Sequence, residues 1–328
     1  MMKRIKKLLK SILIMALLMI AIISLSPKPM ISLAQEFVFD ILEDNRPKEY
    51  EIHDVKIQTD IEYTSTFSEN TFDFYQAKNP IENNPTIIWI HGGGFIGGDK
   101  SDAEVYSVWL AYHGYNVISM NYELVPDATY PSTVIQVNEL VEFLKNWNQK
   151  DKINLNNIFF AGDSAGAQIA AQFAILQTNL EYSEEIGLEP VLSSEQIQGV
   201  LLYCGIYDLP SLLNTDSKIF NFLFTQIGWS YLGEKNWMNG ENASSLSIIN
   251  NVDENFPTVY VTDGNAISFE KQGKELVEKF KDLNVSVTSR FFDPQEVTTY
   301  HGYQYRLDTE VGLVAFEDTI NFLEQNRD

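Results

Sequence analysis

The sequence has one cysteine, four histidines and 23 basic residues against 45 acidic ones, and each shortage excludes a class of protein. Cys204 alone cannot form an intramolecular disulfide bond or a multi-cysteine metal site. It ends an apolar run, Val200–Cys204, where a buried structural thiol is expected. A net charge of −22, with the acids scattered along the chain, disfavours binding to nucleic acid and indicates a solubilising surface.

The first 34 residues have the arrangement of an export segment. Residues 3–10 are basic, residues 12–25 are almost wholly apolar, and Ser32-Leu33-Ala34 precedes Gln35. This order predicts either a signal peptide cleaved after Ala34 or, because the uncharged stretch covers residues 11–27, an uncleaved membrane anchor. In both cases we expect residues 35–328 to lie outside the cytoplasm, secreted or held on the outer face of the cell membrane.

Strand-like and helix-like segments alternate along the rest of the chain, which predicts one α/β domain with a mostly parallel sheet covered by helices on both faces. The apolar or alternating runs predict eight strands, at 55–63, 71–76, 86–91, 116–121, 157–161, 198–204, 257–262 and 285–292. The first two runs are close enough to form an antiparallel hairpin. Helical periodicity is present at 102–113, 133–148, 165–178, 267–283 and 310–325. Residues 205–250 are irregular and aromatic, and either a lid over the substrate or ordinary packing on the sheet explains them.

Ser164 has the sequence context of a catalytic nucleophile. The run Gly162-Asp163-Ser164-Ala165-Gly166 leads from an apolar strand into a helix, which is typical of a nucleophile elbow. The flanking glycines remove side chains that would collide with the backbone in so sharp a turn.

A second motif, His91-Gly92-Gly93-Gly94, also follows a buried strand. Consecutive glycines allow backbone N–H groups to approach a developing negative charge, so we predict oxyanion donors at Gly93, Gly94 and Ala165. The alternative is a phosphate-binding loop, but residues 97–100 (Gly-Gly-Asp-Lys) do not match a Walker motif. Acyl transfer is the better interpretation.

His301 is the predicted general base, because in this arrangement the order along the chain is serine, acid, histidine, and no other histidine follows Ser164. His53 lies near the first strand, His91 is expected to brace the glycine loop, and His113 ends a helix. A plain surface histidine in a loop is the alternative for His301.

Asp263 is the predicted acid, as the first carboxylate after the seventh strand. An aspartate in a turn explains Asp263-Gly264-Asn265 equally well, however. Glu270, inside the next helix, and Asp293, after the eighth strand, are the other acids within reach.

Together, the two motifs resemble the esterases and lipases related to hormone-sensitive lipase, including the carbohydrate-ester branch. Gly98-Asp99-Lys100, residues 120–126 (Met-Asn-Tyr-Glu-Leu-Val-Pro) and Tyr130-Pro131 extend the resemblance to about residues 70–325. The resemblance implies an α/β-hydrolase fold. The chain departs from the family in two ways: no Asp-Pro-Leu pattern follows the seventh strand, and there is no room for a large N-terminal cap, so an open pocket is expected.

We therefore predict a serine carboxylesterase for short-chain acyl esters, with acetylated carbohydrate as one candidate substrate and with no metal or cofactor. A peptidase using the same triad is a rival, but nothing in the sequence resembles the additional elements of oligopeptidases. An inactive hydrolase fold that serves as a binding module is the rival from another class. The presence of both Ser164 and His301 disfavours it.

Overall fold

The computed structural model describes residues 2–36, 55–83, 85–213 and 217–327. It confirms the predicted α/β-hydrolase fold, with one eight-stranded sheet in the order β1-β2-β4-β3-β5-β6-β7-β8. The strands are β1 Lys56–Glu62, β2 Thr71–Gln76, β3 Pro85–Ile90, β4 Asn116–Met120, β5 Asn154–Asp163, β6 Ile197–Tyr203, β7 Val259–Thr262 and β8 Val287–Arg290. β1 and β2 form the predicted antiparallel hairpin, β2 pairs antiparallel with β4, and all other pairs are parallel.

The α-helices lie before and between these strands. They are α1 Met2–Leu25, α2 Lys28–Ala34, α3 Glu104–Tyr112, α4 Ser132–Asn146, α5 Ala165–Thr178, α6 Leu180–Ile186, α7 Lys218–Leu232, α8 Glu241–Leu246, α9 Ile248–Asn251, α10 Glu270–Asp282 and α11 Glu310–Asn326. Alternation of side chains along the strands divides the core into two layers. Ile88 and Phe160 pack with α4, α5 and α10 on one face, whereas Trp89 and Phe159 pack with α3 and α11 on the other.

The strand order fixes where a site can form. After β3 the chain adds β4 on one side of it and then returns to add β5 on the other side. Parallel strands place their carboxyl ends at one edge, and a reversal of this kind leaves a crevice outside those ends. The segments that follow β3, β5 and β7 carry the glycine loop, Ser164 and Asp263, so all three meet at this edge.

Several predicted boundaries were wrong by a few residues, and the helix expected at 267–283 is the informative case. It begins at Glu270, because Ile267 has a positive φ of 50° and the Ser268 hydroxyl donates a hydrogen bond to Asp263. Residues 263–269 are therefore a loop. The last strand is also shorter than 285–292 and covers Val287–Arg290.

The irregular region 205–250 contains α7, α8 and α9, and it contributes both to the core and to the wall of a cavity. Tyr207, Tyr231 and Trp237 are buried in the core. Leu223 and Phe224, on α7, border the cavity described below.

The N-terminal segment packs against this region. Ile31 of α2 is fully buried, α2 contacts α7, and the Gln35 side-chain amide donates to the Val125 carbonyl at 3.0 Å. Among the described residues, no helix is both long and apolar enough to cross a membrane.

Candidate active site

Ser164 lies at the sharp turn between β5 and α5. Its backbone has φ 53° and ψ −117°, a conformation that an L-residue rarely adopts and that costs on the order of 1–3 kcal/mol. The turn is held because the Ser164 N–H donates to the Tyr203 carbonyl of the neighbouring strand at 2.8 Å. The strained backbone presents the hydroxyl at the edge of the sheet.

Gly166 allows the helix after Ser164 to approach β3. A Cβ atom at position 166 would lie 2.0 Å from the Ile90 carbonyl oxygen and 2.5 Å from that of His91. Any side chain there would push α5 away from the strand that carries the glycine loop. The close approach of these backbones therefore fixes the nucleophile relative to that loop.

The glycine loop is folded back on itself. Gly93 has φ +102°, and its carbonyl accepts from the N–H groups of Ile96 and Gly97, both at 3.1 Å. In the described part of the chain, the N–H groups of Gly93 and Gly94 donate to no backbone carbonyl. Ala165 is the first residue of α5, so its N–H has no partner within the helix. In these described residues, none of the three predicted oxyanion donors is used in a backbone hydrogen bond.

The other histidines have structural contacts. The buried His91 ring stacks on Tyr122 with 4.3 Å between centroids, and its Nδ1–H donates to the Gly92 carbonyl at 2.7 Å. His113 donates from Nδ1 to the Trp109 carbonyl, one turn earlier in α3, at 2.8 Å. His53 lies outside the described residues.

Asp263 and His301 are connected through the hydroxyl of Ser268, a residue that the sequence analysis did not single out. Asp263 directly follows β7 and is 1% exposed, and its Oδ1 accepts a hydrogen bond from the Ser268 hydroxyl. The same hydroxyl lies 2.8 Å from Nδ1 of His301. The edge of Phe269 packs on the His301 ring with centroids 5.2 Å apart. Glu270 begins α10, and Asp293 lies in a turn where it accepts from the Gln295 N–H.

The surroundings shift both ionisable groups toward their neutral forms. Burial raises the pKa of Asp263 to about 7, although hydrogen bonds from Ser268 and the Gly264 and Phe269 backbone oppose the rise. Part of His301 faces solvent, yet desolvation of its ring by the surrounding protein lowers the pKa of the imidazole to about 4. Near neutral pH the imidazole is therefore unprotonated and can accept a proton.

Cys204 lies behind this pair. Its sulfur and ligand atoms of Asp263 and His301 all lie within 4.8 Å of one another, a spacing that could in principle hold a metal ion. The three groups are instead engaged in hydrogen bonds: Cys204 donates to Gln304 and accepts from the Gly302 N–H, and Ser268 contacts the other two. Burial raises the pKa of the Cys204 thiol, which favours its neutral form.

One cavity of about 570 Å³ joins these parts. Ser164, His301, Gly93 and Gly94 all border it, which brings the predicted nucleophile, base and two oxyanion donors together. The apolar wall consists of Ile206, Leu223, Phe224, Ile227 and Phe269. Ala34 at the end of α2 completes the lining, so a short N-terminal helix borders a pocket that the sequence suggested was open.

Another part of the wall is acidic. Asp99, Asp102 and Asp163 border the cavity. Burial alone would raise the pKa of Asp99, but hydrogen bonds from Ser101 and Asn121 and the Lys100 charge lower it to about 2. Burial raises the pKa of Asp163 to about 6, and Tyr305 donates to its Oδ1 at 2.7 Å. The cavity therefore disfavours anions.

Sequence reasoning missed Ser268, Phe269 and Ala34. The missing Asp-Pro-Leu pattern indicated that the loop around the acid differs from that of the family. The sequence did not show which hydroxyl group would lie beside the acid, because that depends on how the loop folds. Ala34 was assigned only to the export segment, because its contact with the cavity depends on the packing of α2 against α7.

Comparison with known protein families gives a match over most of the chain. The family model described as BD-FAE matches residues 72–280, more than half of the chain.

Several solved structures with the same fold are described as esterases. Esterase B from Lactobacillus rhamnosis, in an inhibited form, superposes with a TM-score of 0.75 at 21% identity, covering 91% of this chain and 95% of its own. A truncated carbohydrate esterase from gut microbiota gives 0.66 at 16% identity, covering 83% and 96%. An esterase from Pyrobaculum calidifontis gives 0.64 at 20%, covering 87% and 88%.

Proposed function

Because the chain belongs to the BD-FAE family, we propose that it is a carboxylic ester hydrolase in which Ser164 is the nucleophile, His301 the general base and Asp263 the acid. The observation that carries the proposal is the single cavity bordered by Ser164, His301 and the glycine loop. Nucleophile, base and oxyanion donors are the three parts that acyl transfer requires.

The reaction has two steps. In the first, Nε2 of His301 takes the Ser164 proton as the oxygen attacks the ester carbonyl, and the N–H groups of Gly93, Gly94 and Ala165 stabilise the oxyanion. The carbon–oxygen bond to the alcohol then breaks, and the alcohol leaves with the proton from His301. In the second step, water attacks the acyl group on Ser164 with His301 again as base. The carboxylic acid is released and the serine hydroxyl is restored.

The cavity walls support a neutral ester with a short acyl group. The side chains of Leu223, Phe224 and Ile227 offer an apolar surface for the acyl chain, and about 570 Å³ is small for a long chain together with its alcohol. Ionised Asp99, which also borders the cavity, can accept hydrogen bonds from hydroxyl groups. An acetylated carbohydrate combines these features. An extracytoplasmic location, which we propose from the export segment, would suit such a substrate.

The central test compares p-nitrophenyl acetate hydrolysis by the unaltered protein and by Ser164→Ala. We expect kcat to fall by a factor on the order of 10⁴ or more, because the acyl-enzyme cannot form. A fluorophosphonate probe should attach to Ser164, which peptide mass spectrometry would locate. The absence of hydrolysis above the rate in buffer for both proteins, together with the absence of labelling, would favour the inactive binding module.

Substrate class is tested by p-nitrophenyl esters of increasing acyl length beside acetylated sugars. We expect acetyl and butyryl esters to be cleaved faster than octanoyl esters. The negatively charged hemisuccinate should react about ten-fold more slowly than the neutral butyrate, because the acids of the cavity repel it. A preference for the hemisuccinate would contradict the role given to Asp99.

A further inference from the structure

The loops that carry Ser268 and His301 are joined by backbone pairing. The Ala266 N–H donates to the Thr299 carbonyl at 3.0 Å, and the Thr299 N–H donates to the side chain of Asn265 at 3.0 Å. A Cβ at Gly264 would lie 2.4 Å from the Tyr300 carbonyl oxygen, so the two segments are in close contact. The position of the residues after Asp263 is therefore set relative to His301.

Ser268 lies where the two loops bring acid and base together. In the described part of the chain, no hydrogen bond joins Asp263 directly to His301, and both contact the Ser268 hydroxyl. We propose that Ser268 is a positioning residue that links Asp263 to His301, so that the acid orients the base through a hydroxyl group. This inference rests on the proposed ester hydrolase function.

Counting donors and acceptors fixes the direction of this link. An ionised carboxylate only accepts hydrogen bonds, so the single proton of the Ser268 hydroxyl points to Asp263. The serine oxygen then accepts from Nδ1–H of His301. This tautomer leaves Nε2 unprotonated and able to take the proton of Ser164.

Protonation of Asp263 reverses the link. A protonated carboxyl group donates to Ser268, the serine proton then points to Nδ1, and the ring proton moves to Nε2, where it blocks the base. Among the described residues, the Cys204 thiol, the Tyr207 phenol and the His301 imidazole lie beside Asp263. Burial raises the pKa of the thiol and of the phenol and lowers that of the imidazole. None of these groups supplies a positive charge near neutral pH. Ionisation of Asp263 thus controls the tautomer through Ser268.

The test is a double-mutant cycle on the full chain with Ser268→Ala, Asp263→Asn and the double variant. We expect Ser268→Ala to lower kcat by about 100-fold with KM changed less than about three-fold, because orientation of the base acts in the transition state. The double variant should lose no more than the worse single variant, since both changes interrupt one chain of contacts. Ser268→Thr keeps the hydroxyl and should recover activity to within about ten-fold of the unaltered protein.

The pH profile of kcat/KM distinguishes a positioning role of Ser268 from a purely structural one. In the unaltered protein the acid limb of kcat/KM should follow Asp263, whereas in Ser268→Ala it should move to lower pH, because the imidazole alone then controls it. Ser211→Ala is the matched control: this serine is also half-buried and accepts a hydrogen bond from Gln272 at 2.9 Å, and its replacement should leave kcat and the profile unchanged.

Three results would overturn the inference while the ester hydrolase remains. They are an active Ser268→Ala with an unshifted profile, losses that multiply in the double variant, and an inactive Ser268→Thr of normal thermal stability. If Ser268→Ala does not fold, Ser268→Cys, which keeps the volume but is a weak donor, takes its place. An inactive unaltered protein that also resists the fluorophosphonate probe would instead count against the proposed function.

Discussion

The nucleophile side and the base side of the site are built by different means. Around Ser164, backbone conformation and backbone contacts determine the geometry. They are the strained turn, the contact of Gly166 with β3, and the hydrogen bonds within the glycine loop. Around His301, it is determined by side chains, because Ser268 bridges to Asp263 and Phe269 packs on the ring. A site held by close backbone contacts requires glycine at fixed spacings, whereas different side chains can hold a base in the same place. The nucleophile side is therefore visible as a sequence motif, and the base side is not.

His301→Gln tests the base side with the largest expected effect. Loss of the base should lower kcat by a factor on the order of 10⁴, with unchanged thermal stability because part of the residue faces solvent. The measurement is p-nitrophenyl acetate hydrolysis beside thermal unfolding. His113→Gln is the control, since this exposed histidine bonds only within its own helix, and it should stay active. Similar losses in both variants would remove His301 from its assigned role.

Gly166→Ala tests the nucleophile side, where we expect a loss of stability together with activity. The new Cβ would meet backbone atoms at 2.0 Å and 2.5 Å, which cannot move without displacing β3 or α5. Unfolding by urea should show a loss of about 3 kcal/mol. Gly273→Ala is the control, because the nearest atom there belongs to the Phe291 side chain at 3.2 Å, and its effect should be small. Equal stabilities would mean that the backbone contact does not fix this side.

The pH dependence of kcat/KM reports on the two ionisable groups of the base side, Asp263 and His301. Above about pH 7 Asp263 is ionised, and above about pH 4 the imidazole is neutral, so both are in the active form only above about pH 7. We expect kcat/KM to rise through neutrality to a plateau. Half-maximal activity already at pH 5 would contradict the raised pKa of Asp263.

The raised pKa of Asp263 and the lowered pKa of His301 change the stability of the fold in opposite directions as pH rises. Between its ordinary pKa of 3.8 and about 7, folded Asp263 holds more proton than the unfolded chain, so its contribution to stability falls as pH rises. Between about 4 and 6.5, folded His301 holds less proton than the unfolded chain, so its contribution rises. We expect Asp263→Asn to remove the first effect, which leaves unfolding midpoints that increase more steeply with pH over this range.

Tyr305→Phe probes the nucleophile side with the smallest change. Removal of the hydroxyl takes away the hydrogen bond to Asp163, next to Ser164, and should cost about 1 kcal/mol in unfolding free energy. The pKa of Asp163 should rise further without this donor. Activity should fall less than ten-fold. A loss as large as that of His301→Gln would indicate that the nucleophile depends on side chains after all.

The contrast between the two sides also explains what the sequence could and could not predict. Apolar or alternating runs predicted all eight strands, and the central ones were visible as continuous apolar runs because those strands are buried on both faces. The turn at Ser164 was predictable because only glycines at 162 and 166 permit it. The bridging role of Ser268 was not, because it depends on the left-handed backbone at Ile267, a residue 88% exposed, and on pairing with a loop more than thirty residues away. Helix periodicity instead extended α10 over this loop.

Ala34 lies both at the end of the predicted export segment and at the border of the cavity. The peptide bond after Ala34 is the predicted cleavage site, yet Ala34 borders the cavity, and the side chain of the next residue, Gln35, donates to the Val125 carbonyl. If that bond is hydrolysed and α2 leaves its contact with α7, we expect the entrance on that side to widen. One gene product would then have two substrate ranges, narrower before maturation and broader after it, with the same reacting atoms in both forms.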